Sequence, residues 1–192
     1  FEHPNLLGVP GEDLPHVSHF YKEAHPFYRQ RVVIVGGKNS AAEAALEIHR
    51  AGGHVTIVHR GAAFGDSIKY WVKPDIENRV KEGSIAAHFN ANIVEIRPTE
   101  VVLDTGQTLP AEGVLLLTGY RADPDFMRRV GVEINAETLE PKLDAQTYES
   151  NVPGLFVAGG QVAGKKTGTV FIENGRFHGE MIAKTLASRQ NA

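Results

Sequence analysis

Four β-branched residues, Val32-Val33-Ile34-Val35, run straight into Gly36-Gly37, and a second β-branched run, His54 to Val58, ends in His59-Arg60. Between them Lys38, Asn39, Ser40 and Ala41 open a stretch with Ala, Leu and Ile at helical spacing, closed by Gly52-Gly53. This order predicts strand, tight turn, helix and second strand. A helix that starts just after a glycine turn aims unpaired N–H groups and its positive dipole end at the turn, and a pyrophosphate satisfies both. In such a βαβ unit the end of the second strand reads the adenosine ribose. An acidic residue there accepts from a free 2′-hydroxyl, whereas an arginine accommodates a 2′-phosphate. Arg60, beside His59, therefore points to NADP(H) rather than NAD(H).

The glycine pattern departs from G-x-G-x-x-G/A at one place. Gly36 and the closing small residue Ala41 are present, but the middle glycine is Lys38. Either the lysine stem points to water, the reading favoured here, or its ammonium replaces the lost N–H contacts to phosphate. The plainer alternative is a parallel βαβ unit whose glycines only make a turn.

The elements that must hold this turn are legible on both sides. Residues 1–15 are rich in Pro and Gly and read as extended or turn structure, and Val17 to Tyr28 reads as a short helix. After Arg60 a loop runs from Gly61 to Lys73, and Pro74 opens a helix with Asp75 and Glu77 in its first turn and Gly83 after its last. Ala87–Phe89 and Asn92–Arg97 read as strands, and Glu100–Asp104 and Gln107–Leu109 as a hairpin about Thr105-Gly106. Gly113–Thr118 reads as a buried parallel strand, Asp123–Val130 as a short helix and Leu155–Ala158 as a last strand. Phe171–Ser188 reads as a long amphipathic helix.

Composition narrows the possibilities. Twenty Lys and Arg against 23 Asp and Glu leave a charge of −3, with no basic excess to suggest nucleic acid or an acidic membrane surface. No apolar run approaches the roughly 20 residues that span a bilayer. There is no cysteine, so this polypeptide carries no disulfide, zinc–thiolate site or redox thiol. His16, His19 and His25 could share a helix, but nothing completes a ligand set, and no metal is expected. Lys69, Tyr70, Trp71 and Lys73 follow the second strand closely enough to touch a 2′-phosphate or adenine; the alternative is a solvated loop with a buried Trp. Arg79 and Lys81 read as solvent-facing charges. The chain opens on Phe1 rather than Met, which suggests a fragment or a processed product.

The succession GVPGE, GGKNSA, VHR, a hairpin, LLLTGY, PGLFVAGG and a final helix resembles the thioredoxin-reductase-like pyridine nucleotide-disulfide oxidoreductases. Within that group SHFYKEAHPFY, SIKYWVKPDIENRVKEGSI and FIENGRFHGE resemble the bacillithiol disulfide reductases. The resemblance covers essentially the whole chain. It implies an α/β protein: a Rossmann-like three-layer NADP-binding domain at 29–118 with a β-hairpin or meander. Residues 119–192 would be the C-terminal part of an FAD-binding Rossmann-like domain, and 1–28 a linker or leading piece of that domain.

It also implies a cytoplasmic flavoprotein oxidoreductase of redox homeostasis, passing hydride from NADPH through FAD to a low-molecular-weight disulfide such as bacillithiol disulfide. Oligomer formation stays open, and no nucleic acid or membrane partner is implied. Cofactor contacts fall at Gly36 to Ala41, His59, Arg60, Lys69, Thr118 and Gly119, with a flavin side at Gly159, Gly160, Thr169, Val170 and Phe171. No residue is implied as catalytic. No second glycine motif opens the chain, so FAD is expected only together with an N-terminal part, and the chain alone is expected to be inactive as a reductase. The group's usual A-G-D reads Ala158-Gly159-Gly160, without the carboxylate that reaches the ribityl chain, and where thioredoxin reductases carry C-x-x-C this chain has no thiol. Two other functions stay open: a ferredoxin–NADP reductase of the same type, and a non-catalytic NADP-binding module.

Overall fold

The computed structural model describes residues 3–166 and 169–190; the remaining residues of the two segments drawn at 1–28 and 119–192 lie outside them. The described chain divides into two units, Leu6–Thr118 and a second made of residues up to Asn5 together with those from Gly119 on.

In the first unit a five-stranded sheet carries the site. Its strands are β1 (Val17–Ser18), β2 (Arg31–Val35), β3 (His54–His59), β4 (Ala86–Phe89) and β8 (Gly113–Leu116), in the order β1-β8-β2-β3-β4 and all parallel. A parallel sheet is buried on both faces, which is why β2 and β8 are apolar without alternation. Val32, Ile34, Ile57 and Leu115 meet the helices α1 (Asn39–Arg50) and α2 (Lys73–Lys81) on one face. Val33, Val58, Val114 and Leu116 meet an antiparallel meander on the other, formed by β5 (Ile93–Arg97), β6 (Glu100–Leu103) and β7 (Thr108–Pro110). The three layers are therefore helices, parallel sheet and meander.

Helix α1 lies close to the sheet because its inward face is Ala41, Ala42, Ala44 and Ala45, with Leu46 and Ile48 completing the contact. It stops where Gly52 takes φ +91° and the Gly53 N–H donates to the Ile48 carbonyl at 2.9 Å, the left-handed termination that only glycine makes without strain.

Residues 17–28 form no α-helix. Val17 and Ser18 pair with Val114 and Leu115 as the edge strand, so residues 6–28 pack with this unit. Pro26 interrupts helix hydrogen bonding, and the Ser18 hydroxyl bonds both the N–H and the carbonyl of Phe20, leaving one 3-10 turn at His25–Phe27.

The second unit holds α3 (Pro124–Arg129), whose first turn is capped by the Asp123 carboxylate accepting from the Asp125 N–H at 2.8 Å. It also holds α4 (Ile172–Gln190) and a small core of Met127, Val132 and Val157. The run 155–158 forms one bridge, Phe156 to Glu149, instead of a strand, because an extended segment needs a neighbouring ladder and none lies beside it among the described residues. The amphipathic face foreseen on α4 is not used within this unit: Ile172 is 87% exposed and none of its described residues is buried.

Candidate nucleotide site

The turn between β2 and α1 lies where the strand order reverses, β3 and β4 building outward on one side of β2 and β8 on the other. In open α/β sheets the crevice beyond the strand ends at such a point is where ligands bind.

Gly36 is pinched there. Its φ is +151°, and a Cβ on it would stand 2.7 Å from the Leu117 carbonyl oxygen and 2.9 Å from the Ala41 Cβ. Its N–H donates to the Val58 carbonyl at 3.1 Å, so the turn is tied to β3. Gly36 and Ala41 must be small because β8, the turn and the first turn of α1 converge on one point. The first α-helical hydrogen bond is Ala42 N–H to Lys38 carbonyl at 3.0 Å. That leaves the N–H groups of Asn39, Ser40 and Ala41 without intrahelical partners, as at every helix start.

Gly37 is small for a different reason. A Cβ on it would fall 2.4 Å from the ring of His59, which covers the turn and also crowds Gly61. The His59 ring stands edge-on to Phe89 at 6.4 Å. Burial pushes its pKa down, and the neighbouring Arg60 charge lowers it further. Both effects disfavour the protonated form of this imidazole. Arg60 is exposed and has no hydrogen bond or ion pair among the described residues.

Lys38 is exposed at the N-cap of α1 with φ −121° and ψ −168°, an extended backbone that any residue adopts, so nothing local demands glycine. It has no ion pair among the described residues. Because its stem is already in water, Lys38→Gly should change nucleotide affinity by less than about threefold. Fluorescence titration measures this, and a loss well beyond tenfold would identify the ammonium as a direct phosphate ligand.

The loop cations are not directed at the ribose position. Lys69 Nζ pairs with Glu43 Oε1 at 2.7 Å and Lys73 Nζ with Asp66 Oδ1 at 2.8 Å. Trp71 is neither buried nor stacked on a ligand-facing surface. It is 61% exposed, edge-on to Tyr70 at 4.8 Å, with the Lys69 ammonium over its ring. Arg79 is half-buried and bonds Asp75 and Glu82 rather than standing free in solvent. Thr118 is half-buried and ends this unit. No cluster of three or more His, Cys, Asp or Glu forms at metal-binding spacing among the described residues.

In the second unit Gly119 takes φ +92° and its carbonyl accepts the Asn5 N–H at 2.9 Å. Gly159, Gly160, Val170 and Phe171 line one open cleft of about 430 Å³ together with Gly175 and Arg176. Thr169 is exposed just before it, its hydroxyl donating to the Lys166 carbonyl. A Cβ at Gly160 would meet nothing within 4 Å, so the missing carboxylate is a matter of sequence and not of space. The start of α4 is less open than a bare helix end. Asn174 Oδ1 accepts the Phe171 N–H at 2.7 Å, and its Nδ2 donates to the Thr169 carbonyl. Sequence reasoning missed His178. Its Nδ1 accepts the Gly159 N–H at 3.2 Å while its ring stacks on Tyr148 at 4.3 Å, and no local pattern announces a contact across 19 residues.

The pyridine nucleotide-disulphide oxidoreductase family matches residues 1–159. The chain belongs to that family. Its members are flavin- and NAD(P)-dependent oxidoreductases. Bacilliredoxin reductase Bdr of Bacillus subtilis is 45% identical over 195 residues, covering 100% of the chain and 60% of that protein. The solved bacillithiol disulfide reductase Bdr of Bacillus cereus superposes with a TM-score of 0.91 at 42% identity, over 97% of the chain and 59% of that structure. A ferredoxin–NADP reductase of Ignicoccus hospitalis is 30% identical over 164 residues, 81% of the chain and 52% of its own length. The chain thus spans about three-fifths of the length of the Bdr proteins it matches.

Proposed function

We propose that the unit 6–118 binds NADP(H), and that the protein to which it belongs uses it to reduce a low-molecular-weight disulfide such as bacillithiol disulfide. The observation that carries the nucleotide reading is the pinched Gly36 turn, followed at the end of β3 by an arginine with no partner of its own. The turn brings a pyrophosphate within reach of the free N–H groups of Asn39, Ser40 and Ala41. Arg60 takes the 2′-phosphate through charge-assisted bonds. The His59 ring walls the turn, lying against Gly37 and Gly61.

The reading of the substrate rests on likeness: a relative named bacilliredoxin reductase aligns along the full chain. FAD fits the second unit in part, since the cleft at Gly159 and Gly160 has room but offers no carboxylate. When bound, that group would supply the two-electron relay between nucleotide and disulfide. A second reading, electron transfer to ferredoxin, is favoured by the Ignicoccus relative.

The test titrates NADPH and NADH against the chain, following the fluorescence of its single tryptophan, Trp71. Tighter NADPH binding supports the reading; equal affinities overturn it. In the longer protein to which the unit belongs, loaded with FAD, NADPH oxidation driven by bacillithiol disulfide supports the substrate, and oxidation driven by ferredoxin alone replaces it with the second reading. Among the described residues no helix is long and apolar enough to cross a membrane.

A further inference from the structure

We propose that Asn39 is a positioning residue whose side-chain amide clamps the loop after β3 over the glycine turn, and thereby sets the discrimination for a 2′-phosphate. The proposal rests on the NADP(H) reading above. Asn39 is the first residue of α1, next to the Lys38 N-cap, which makes no side-chain capping bond. The Asn39 Nδ2 donates to the Ser67 carbonyl at 2.9 Å and its Oδ1 accepts the Lys69 N–H at 2.8 Å, so one planar amide pairs with both faces of a backbone segment about thirty residues away. Only one orientation of the amide satisfies a donor and an acceptor together.

A third bond runs in parallel: the Gly65 N–H donates to the Gly37 carbonyl at 2.9 Å. The same loop is pinned from below by Phe64, Ile68 and Val72, all buried in the helix-side core. Lys69 adds its ion pair to Glu43 of α1. Gly65 to Lys69 is thus stitched to Gly37 and Asn39, and Arg60 stands at the root of the stitched loop. With the loop fixed, the Arg60 guanidinium is presented from a rigid base, and less conformational entropy is lost when it closes on phosphate.

The clamp makes a demand opposite to that of the helix start. A helix start favours Asp. An aspartate at 39 would keep the acceptor for Lys69 but set a carboxylate oxygen against the Ser67 carbonyl. A serine would be too short to reach the loop.

The experiment compares the 192-residue chain with Asn39→Asp and Asn39→Ser, by amide exchange at Gly65 and Lys69 and by NADPH and NADH titration. Exchange at Lys69 should accelerate about tenfold in Asn39→Ser, which removes its acceptor, and change less in Asn39→Asp, which keeps one, while core amides such as Ile34 stay protected. The NADPH-to-NADH affinity ratio should fall about fivefold, including in the uncharged serine variant, where repulsion of the pyrophosphate plays no part. Unchanged Lys69 exchange in Asn39→Ser overturns the clamp, and faster exchange there with an unchanged ratio overturns its role in specificity. A wild type without NADPH preference overturns the nucleotide reading instead, and the Lys69 exchange then still decides the clamp.

Discussion

Arg60→Ala abolishes most of the preference for NADPH over NADH while leaving NADH affinity nearly intact. The guanidinium is exposed and carries no competing carboxylate among the described residues, so nothing else is released or stranded when it is removed. Charge-assisted bonds to a phosphate contribute about 2 kcal/mol, or roughly thirtyfold in affinity. Because the contact is at the surface, the preference should also shrink with added salt, as screening weakens exposed charge pairs over about 10 Å at 0.1 M. Arg60→Lys should keep part of it, since a point charge replaces a bidentate fork. Calorimetric titration of both nucleotides against the three proteins is the measurement. An equal loss for NADPH and NADH would place the arginine on the pyrophosphate and end its role as a 2′-phosphate reader.

Gly36→Ala has the largest expected effect on the fold. At φ +151° an L side chain is strained, and the new Cβ would lie 2.7 Å from a backbone oxygen, Leu117, that belongs to the central strand connection and cannot swing away. The cost should be about 2–4 kcal/mol of unfolding free energy, read from urea denaturation, with nucleotide affinity falling more than about tenfold because the turn opens. Gly37→Ala provides the contrast. Its obstacle is the His59 ring, a side chain that can rotate, so stability should change by less than about 1 kcal/mol while the wall of the site is displaced. Equal destabilisation by the two substitutions would show that His59 is as immovable as the backbone.

These two glycines mark the border between what the chain's text determines and what folding adds. The β-branched runs, the alanine face of α1, the Gly52-Gly53 stop and Pro74 act on neighbours within a turn or two, so strand, helix and loop follow from local sequence alone. The observed elements from Arg31 to Leu116 match that reading to within a residue or two at their ends. Arg60 was legible for the same reason: its place after β3 is fixed by counting along a βαβ unit.

What only tertiary structure decided lies in contacts between residues far apart in sequence. Val17 and Ser18 are a strand because β8, nearly a hundred residues later, offers an open edge. The glycines look alike in sequence, yet one is demanded by Leu117 and the other by His59. Lys69 faces Glu43 and Trp71 faces solvent because the loop is drawn across α1, and Asn39 binds that loop instead of its own helix. Side-chain type and spacing specify what a residue can bond. Which partner it meets depends on long-range packing, which brings distant segments within the 3 Å at which those bonds form.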